Sequence, residues 1–168
     1  MKKILFLTIT LFLFSTKTSA CDCECAGDCT FKSISEGMEF VALVKVVEFS
    51  DYLEENIPGY EGKMPSSMTV EIIKKYKGKD SRKMIKIWGD DGALCRPYTA
   101  NFEIGEYYLI APNLITAPNK NESKTDYEFF SCFVDYLKVD FKNAVAYGDY
   151  TKRTNKITLK KFEKNLNK

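Results

Sequence analysis

Four cysteines fall within residues 21–29, at Cys21, Cys23, Cys25 and Cys29, and two more follow at Cys95 and Cys132. A segment as cysteine-dense as CDCECAGDC cannot settle into a regular element of its own. An even count of cysteines in an exported chain reads first as disulfides. Six cysteines allow many pairings, and spacing does not choose among them.

Export is read from the residues in front. Lys2 and Lys3 give a positive start, residues 4–14 are uncharged and mostly apolar, and Thr18-Ser19-Ala20 places small residues before Cys21. This is the three-part pattern of a secretory signal, too short to remain as a spanning helix. The expected division is residues 1–20 as signal peptide and 21–168 as one domain. Of 25 basic and 23 acidic side chains, three basic ones leave with the signal, so the remainder carries a net charge of −1. No basic excess points to nucleic acid.

The chain contains no histidine. That removes the Ser-His-Asp triad, the Cys-His pair and every histidine-containing zinc site. No glycine-rich phosphate loop is present, and no cofactor is implied. Asp90-Asp91 and Glu54-Glu55 are adjacent acids, which on a strand would point to opposite faces. They read as loop charges, and the chain does not read as an enzyme.

Periodicity outlines a mainly β domain. Phe31, Ile34 and Met38 suit a short helical turn after Cys29. Residues 39–49 read as a long strand with apolar residues on both faces, as expected where something packs on the outside of a curved sheet. Residues 51–67 carry Pro58, Gly59, Gly62 and Pro65 and read as a loop. Further strands are expected at 68–76, 83–88, 106–111 and 127–137, the last with Cys132 in its middle. The sole tryptophan, Trp88, reads as a core residue. Thr158 can cap a last helix, with Ile157 and Phe162 at hydrophobic-staple spacing and Leu159, Phe162 and Leu166 on one face. Five strands with a terminal helix fit an α+β domain or a five-stranded barrel such as the OB-fold.

The C-x-C start at Cys21, the turn Tyr76-Lys77-Gly78 after the second strand, Cys95 after the third, Gly105-Glu106-Tyr107-Tyr108-Leu109 in the fourth and Cys132 in the fifth come in a familiar order. From Cys21 to about Leu137 the chain resembles the netrin-like domain group and its tissue inhibitors of metalloproteinases. The resemblance implies a five-stranded OB-like barrel with a short N-terminal helical turn and a C-terminal helix. It implies bridges Cys21–Cys95 and Cys23–Cys132, each stabilising by roughly 4 kcal/mol in the chain-entropy model. Cys25 and Cys29 remain to close a local loop. The animal inhibitors have a later cysteine and a second cysteine-rich domain; this chain has no cysteine after Cys132.

The resemblance also implies a secreted inhibitor of a zinc metalloprotease. The free α-amine and carbonyl oxygen of Cys21 would take the open position on the protease's zinc. Asp22 would point toward the specificity pocket, with Cys23, Glu24 and the loop Ala93-Leu94-Cys95 alongside. The group usually carries Thr or Ser where this chain has Asp22, and an apolar pocket would reject that carboxylate. Two other roles use the same residues. A lipid on Cys21 would make the chain a surface-anchored binding module, in the periplasm or at the cell surface, touching a membrane only through that lipid. Alternatively, the thiolates of CDCEC could hold a soft metal.

Overall fold

A computed structural model describes residues 21, 23, 27–54, 57 and 60–167. The expected signal segment, with Asp22, Glu24 and Cys25, lies outside the described residues. Among the described residues no helix is long and apolar enough to cross a membrane.

The fold is mainly β. Helix α1 (Phe31–Gly37) leads into β1 (Val41–Tyr52), β2 (Pro65–Lys77) and β3 (Met84–Trp88). After a 3-10 turn at Thr99–Asn101 come β4 (Tyr107–Ile110), β5 (Asn113–Leu114), β6 (Tyr127–Glu128), β7 (Tyr136–Asp140), β8 (Val145–Thr151), β9 (Thr154–Thr158) and helix α2 (Leu159–Leu166). Hydrogen bonds join the strands in one sheet of order β5-β6-β3-β2-β1-β4-β7-β8-β9. All pairings are antiparallel except β3 with β6.

The sheet is open and has nine strands, where five strands closing into a barrel were expected. It is nevertheless strongly curled. Strand β4 lies in the middle of the order and β5 at its edge, yet only Ala111-Pro112 separate them. Two residues span less than ~10 Å, so the edge must return close to the centre. Register shifts along β1 between Val41/Ala42, Leu43/Val44 and Val46/Glu48 supply local twist for that curl.

The curl explains why β1 is apolar on both faces. Ala42, Val44 and Val46 point inward, onto Met68, Val70, Ile85, Ile87, Tyr108 and Ile110. Val41 and Leu43 point outward and are covered by Phe31 of α1 and Phe162 of α2, with Leu109, Leu137 and Val139. Phe162 sits against the rings of Phe31, Tyr76 and Tyr150, at 5.7, 5.3 and 6.4 Å between centroids. Burying such a side chain contributes about 1.5–3 kcal/mol. The helical turn after Cys29 and the terminal helix are where the apolar spacing put them.

Three boundaries differ from expectation. The loop expected at 51–67 gives way to strand at both ends, where the ladder pairs Ser50 with Ser67 and Tyr52 with Pro65, and the Ser67 hydroxyl ties the two strands further through Ser50 and Asp51. Pro65 opens β2, a position that needs no N–H donor from it. The strand expected at 127–137 is two strands, and Cys132 lies in the turn between them. The hairpin β8–β9 was not foreseen at all. Its strands alternate weakly, and Gly148 sits at φ +131°, where a Cβ would come 2.7 Å from Leu137 Cδ2.

Thr158 caps α2 by accepting a hydrogen bond from the Lys161 N–H at 3.3 Å. Thr158→Ala is expected to cost about 1 kcal/mol in urea unfolding. A cost indistinguishable from zero would mean that packing of Phe162 alone holds the helix.

Candidate functional site

Two bridges fasten the short segment around Cys21 and Cys23 to the sheet. Cys21 is bonded to Cys95 and Cys23 to Cys132, with Cα separations of 5.6 and 5.1 Å. These are the two pairings that the resemblance implies. Cys29 is disulfide-bonded as well; its expected partner, Cys25, lies outside the described residues. With Cys21 and Cys23 oxidised, their sulfurs are not thiolate ligands, which overturns the soft-metal reading of CDCEC. Among the described residues no group of three or more His, Cys, Asp or Glu could hold a metal. The bridges fit an oxidising environment.

The loop that receives Cys21 is built by its own side chains. Gly89 packs so closely that a Cβ would lie 2.8 Å from Thr99 and 2.9 Å from the Pro97 carbonyl oxygen. The Asp90 carboxylate accepts the N–H groups of Gly92 and Leu94 at 3.1 and 2.8 Å. Asp91 accepts the Ala93 N–H at 3.0 Å. The adjacent acids are therefore loop-forming groups, each used by nearby backbone. Ala93 is left exposed and Leu94 half-buried beside Cys95.

Arg96 anchors the loop from beneath. It is 8% exposed and pairs with both Glu122 and Glu128. Burial pulls the guanidinium pKa down, but the two carboxylates outweigh burial and raise it. Burial likewise pushes Glu122 up, and the Arg96 hydrogen bond holds it below its usual value instead. Breaking one partner of such a buried group would leave an unpaired charge.

The turn that receives Cys132 is tied to the same place. Ser131 N–H donates to the Cys95 carbonyl at 2.9 Å, and Val134 N–H to the Cys29 carbonyl at 2.9 Å. The turn closes with Phe133 N–H on the Phe130 carbonyl at 2.9 Å. Asp135 ends it. Its Oδ2 accepts the Phe130 N–H at 2.6 Å, while Oδ1 is buried without a partner. Burial pushes this carboxyl up to about 8. Asp135, Arg96 and Ser131 line a cavity of about 360 Å³ together with Asp90 and Phe130.

Cys21, Cys23, Ala93, Leu94 and Cys95 are thus brought to one ridge, and Cys132 with them. Asp22 and Glu24, expected on that ridge, lie outside the described residues. Sequence reasoning missed Arg96 and Asp135. A single acid inside the apolar run FFSCFVDYL was the available signal for Asp135. Arg96 had none, because its partner Glu122 is 26 residues away in the chain.

Fold and site together define a mainly β, disulfide-bonded protein in which Cys21 and Cys23 are stapled to two loops of one curled sheet. No family model matches the chain, and no curated protein matches it.

Proposed function

We propose that the chain is an exported inhibitor of a zinc metalloendopeptidase, released from its signal peptide at Cys21 and acting through the α-amine and carbonyl oxygen of that residue. The observation that carries this reading is the pair of bridges at Cys21 and Cys23. They hold two positions of one short segment to two separate loops, which immobilises the amine before any partner arrives. Preorganisation of this kind lowers the cost of binding. An α-amine has a pKa near ~8, so it gives up its proton to a metal readily. A catalytic zinc keeps the open position that an amine and a carbonyl can fill.

The resemblance to the tissue inhibitors of metalloproteinases underlies this reading. The Cys21–Cys95 bridge supports it over lipidation, since a sulfur in a disulfide cannot also form a thioether. Asp22 narrows the target. A carboxylate entering a specificity pocket selects proteases whose pocket is basic and rejects those with apolar pockets.

Two experiments test the proposal. Intact mass and N-terminal sequencing of the exported protein should give a free Cys21 amine with every thiol oxidised; a lipid mass on Cys21 ends the proposal. Extending the chain by one alanine before Cys21 should then abolish inhibition across a panel of zinc endopeptidases with basic pockets. Unchanged potency in the extended protein would sink the chelation mechanism.

A further inference from the structure

A groove elsewhere on the molecule shares no residue with the bridged ridge. It opens where the β2–β3 turn meets the start of β1 and the segment following β5, and encloses about 840 Å³. That volume suits a small-molecule site, roughly 300–1,000 Å³. Phe40 and Tyr127 form its floor, with ring centroids 4.9 Å apart, and Leu114, 44% exposed, forms a lip. A second cavity of about 240 Å³ shares Phe40, Leu114 and Tyr127 and continues the apolar lining past Met38 and Pro112.

The mouth is cationic. The acid in the wall, Asp80, is already taken. Arg82 donates to it at 2.6 and 3.0 Å, and the Tyr127 hydroxyl donates to it at 3.0 Å. Lys77 donates only to the neutral Glu36 carbonyl, at 2.9 Å. Lys79 and Lys124 are exposed and make no ion pair among the described residues. Against these three ammonium groups the lining offers one uncommitted carboxylate, Glu39. Gly78 keeps the turn tight against the floor: it sits at φ +111°, and a Cβ there would lie 2.9 Å from the Glu39 carbonyl oxygen.

We propose that this groove binds a single-headed amphipathic anion of the fatty-carboxylate class, its acid between Lys79 and Lys124 and its chain along Leu114 and the exposed edges of Phe40 and Tyr127 toward Pro112. Charge complementarity selects an anion over a cation or a neutral chain. The lining selects a free molecule over a membrane surface: Leu114 is its one large exposed apolar side chain, whereas a membrane-docking face turns several outward.

Calorimetric titration of the exported protein with dodecanoate, well below micelle formation, tests the assignment. Saturable one-to-one binding is expected, with dodecanol and dodecyltrimethylammonium each at least about tenfold weaker. Lys79→Glu with Lys124→Glu should weaken dodecanoate at least about tenfold, and Leu114→Asp should do the same. Lys160→Glu with Lys161→Glu, on α2, should change the net charge equally and leave binding intact. All the substituted side chains are exposed, and unchanged urea midpoints would show that the variants are folded. The proposal is overturned if dodecanol binds as well as dodecanoate, or if the Lys79/Lys124 variant binds like the parent. It is also overturned if the protein ignores dodecanoate and sediments only with phosphatidylglycerol vesicles.

Discussion

Replacing Cys23 and Cys132 together by serine is expected to lower the unfolding free energy by about 4 kcal/mol, and replacing Cys21 and Cys95 by the same amount. The two bridges span 109 and 74 residues, so taken singly the larger loop should matter more. Each, however, is closed in the presence of the other. From Cys23 the path to Cys132 runs back to Cys21, across its bridge, and on from Cys95, an effective loop of about 39 residues. The same path is the effective loop for Cys21 and Cys95. Loop-closure entropy for that length is about 4 kcal/mol. Removing the second bridge then costs a further ~4.5 kcal/mol. The combined loss is comparable with the whole stability of a small domain, ~5–15 kcal/mol, so the doubly reduced protein should be close to unfolded. Urea unfolding of the two single-bridge variants decides the point. Costs differing by more than about 1 kcal/mol would show that native strain or residual denatured structure outweighs chain entropy.

The second large effect is electrostatic. Asp135 is fully buried and its Oδ1 has no hydrogen-bond partner, so its ionised form is costly and burial lifts its pKa to about 8. In the unfolded chain the same group titrates near ~3.9. Between those values the folded state keeps a proton that the unfolded state has lost. Stability contributed by this group is therefore full below ~pH 4, falls by about 1.4 kcal/mol per unit as pH rises, and is lost once pH passes about 8. Asp135→Asn keeps the shape and the acceptor for Phe130 but cannot ionise. It should be more stable than the parent at pH 7 by on the order of 4 kcal/mol and nearly equal to it at pH 4. The difference between the two proteins is the measurement, because Asp80 and Asp51, held below their usual values, contribute slopes of opposite sign to both where pH falls to about 4 and below. For Asp80 the Arg82 hydrogen bond is the largest cause. For Asp51 burial opposes the shift, but Lys86 and Ser67 outweigh it. A difference curve flat from pH 4 to 8 would show that Asp135 is ionised throughout, with an unseen donor on Oδ1.

What could be read along the chain was what short-range physics decides. Phe31, Ile34 and Met38, and later Leu159, Phe162 and Leu166, showed helical spacing, and both segments are helices packed on the outer face of the sheet. The doubly apolar strand at 39–49 implies that outer layer, which the two helices fill. The β8–β9 hairpin was silent because its outward residues are polar and its inward ones few: Ala146, Tyr150 and Ile157. The break in the strand at 129–135 was silent for another reason. Its residues are as apolar as a strand's, and the chain leaves the ladder there to carry Cys132 to Cys23 and the Asp135 carboxyl to the Phe130 N–H.

Composition and local pattern thus suffice for the mainly β class, the two helices, the oxidised state expected of six cysteines, and the absence of any histidine-based chemistry. These follow from composition and from periods of two and three to four residues, which neighbours enforce on one another. That the sheet curls without closing emerges only from the folded arrangement. Only it seated Arg96 between Glu122 and Glu128, left Oδ1 of Asp135 without a hydrogen-bond partner, and set a cationic rim above Phe40 and Tyr127. Each of these joins residues far apart in the chain. Their energies come from desolvation and charge pairing, which have no value until folding has brought the groups together.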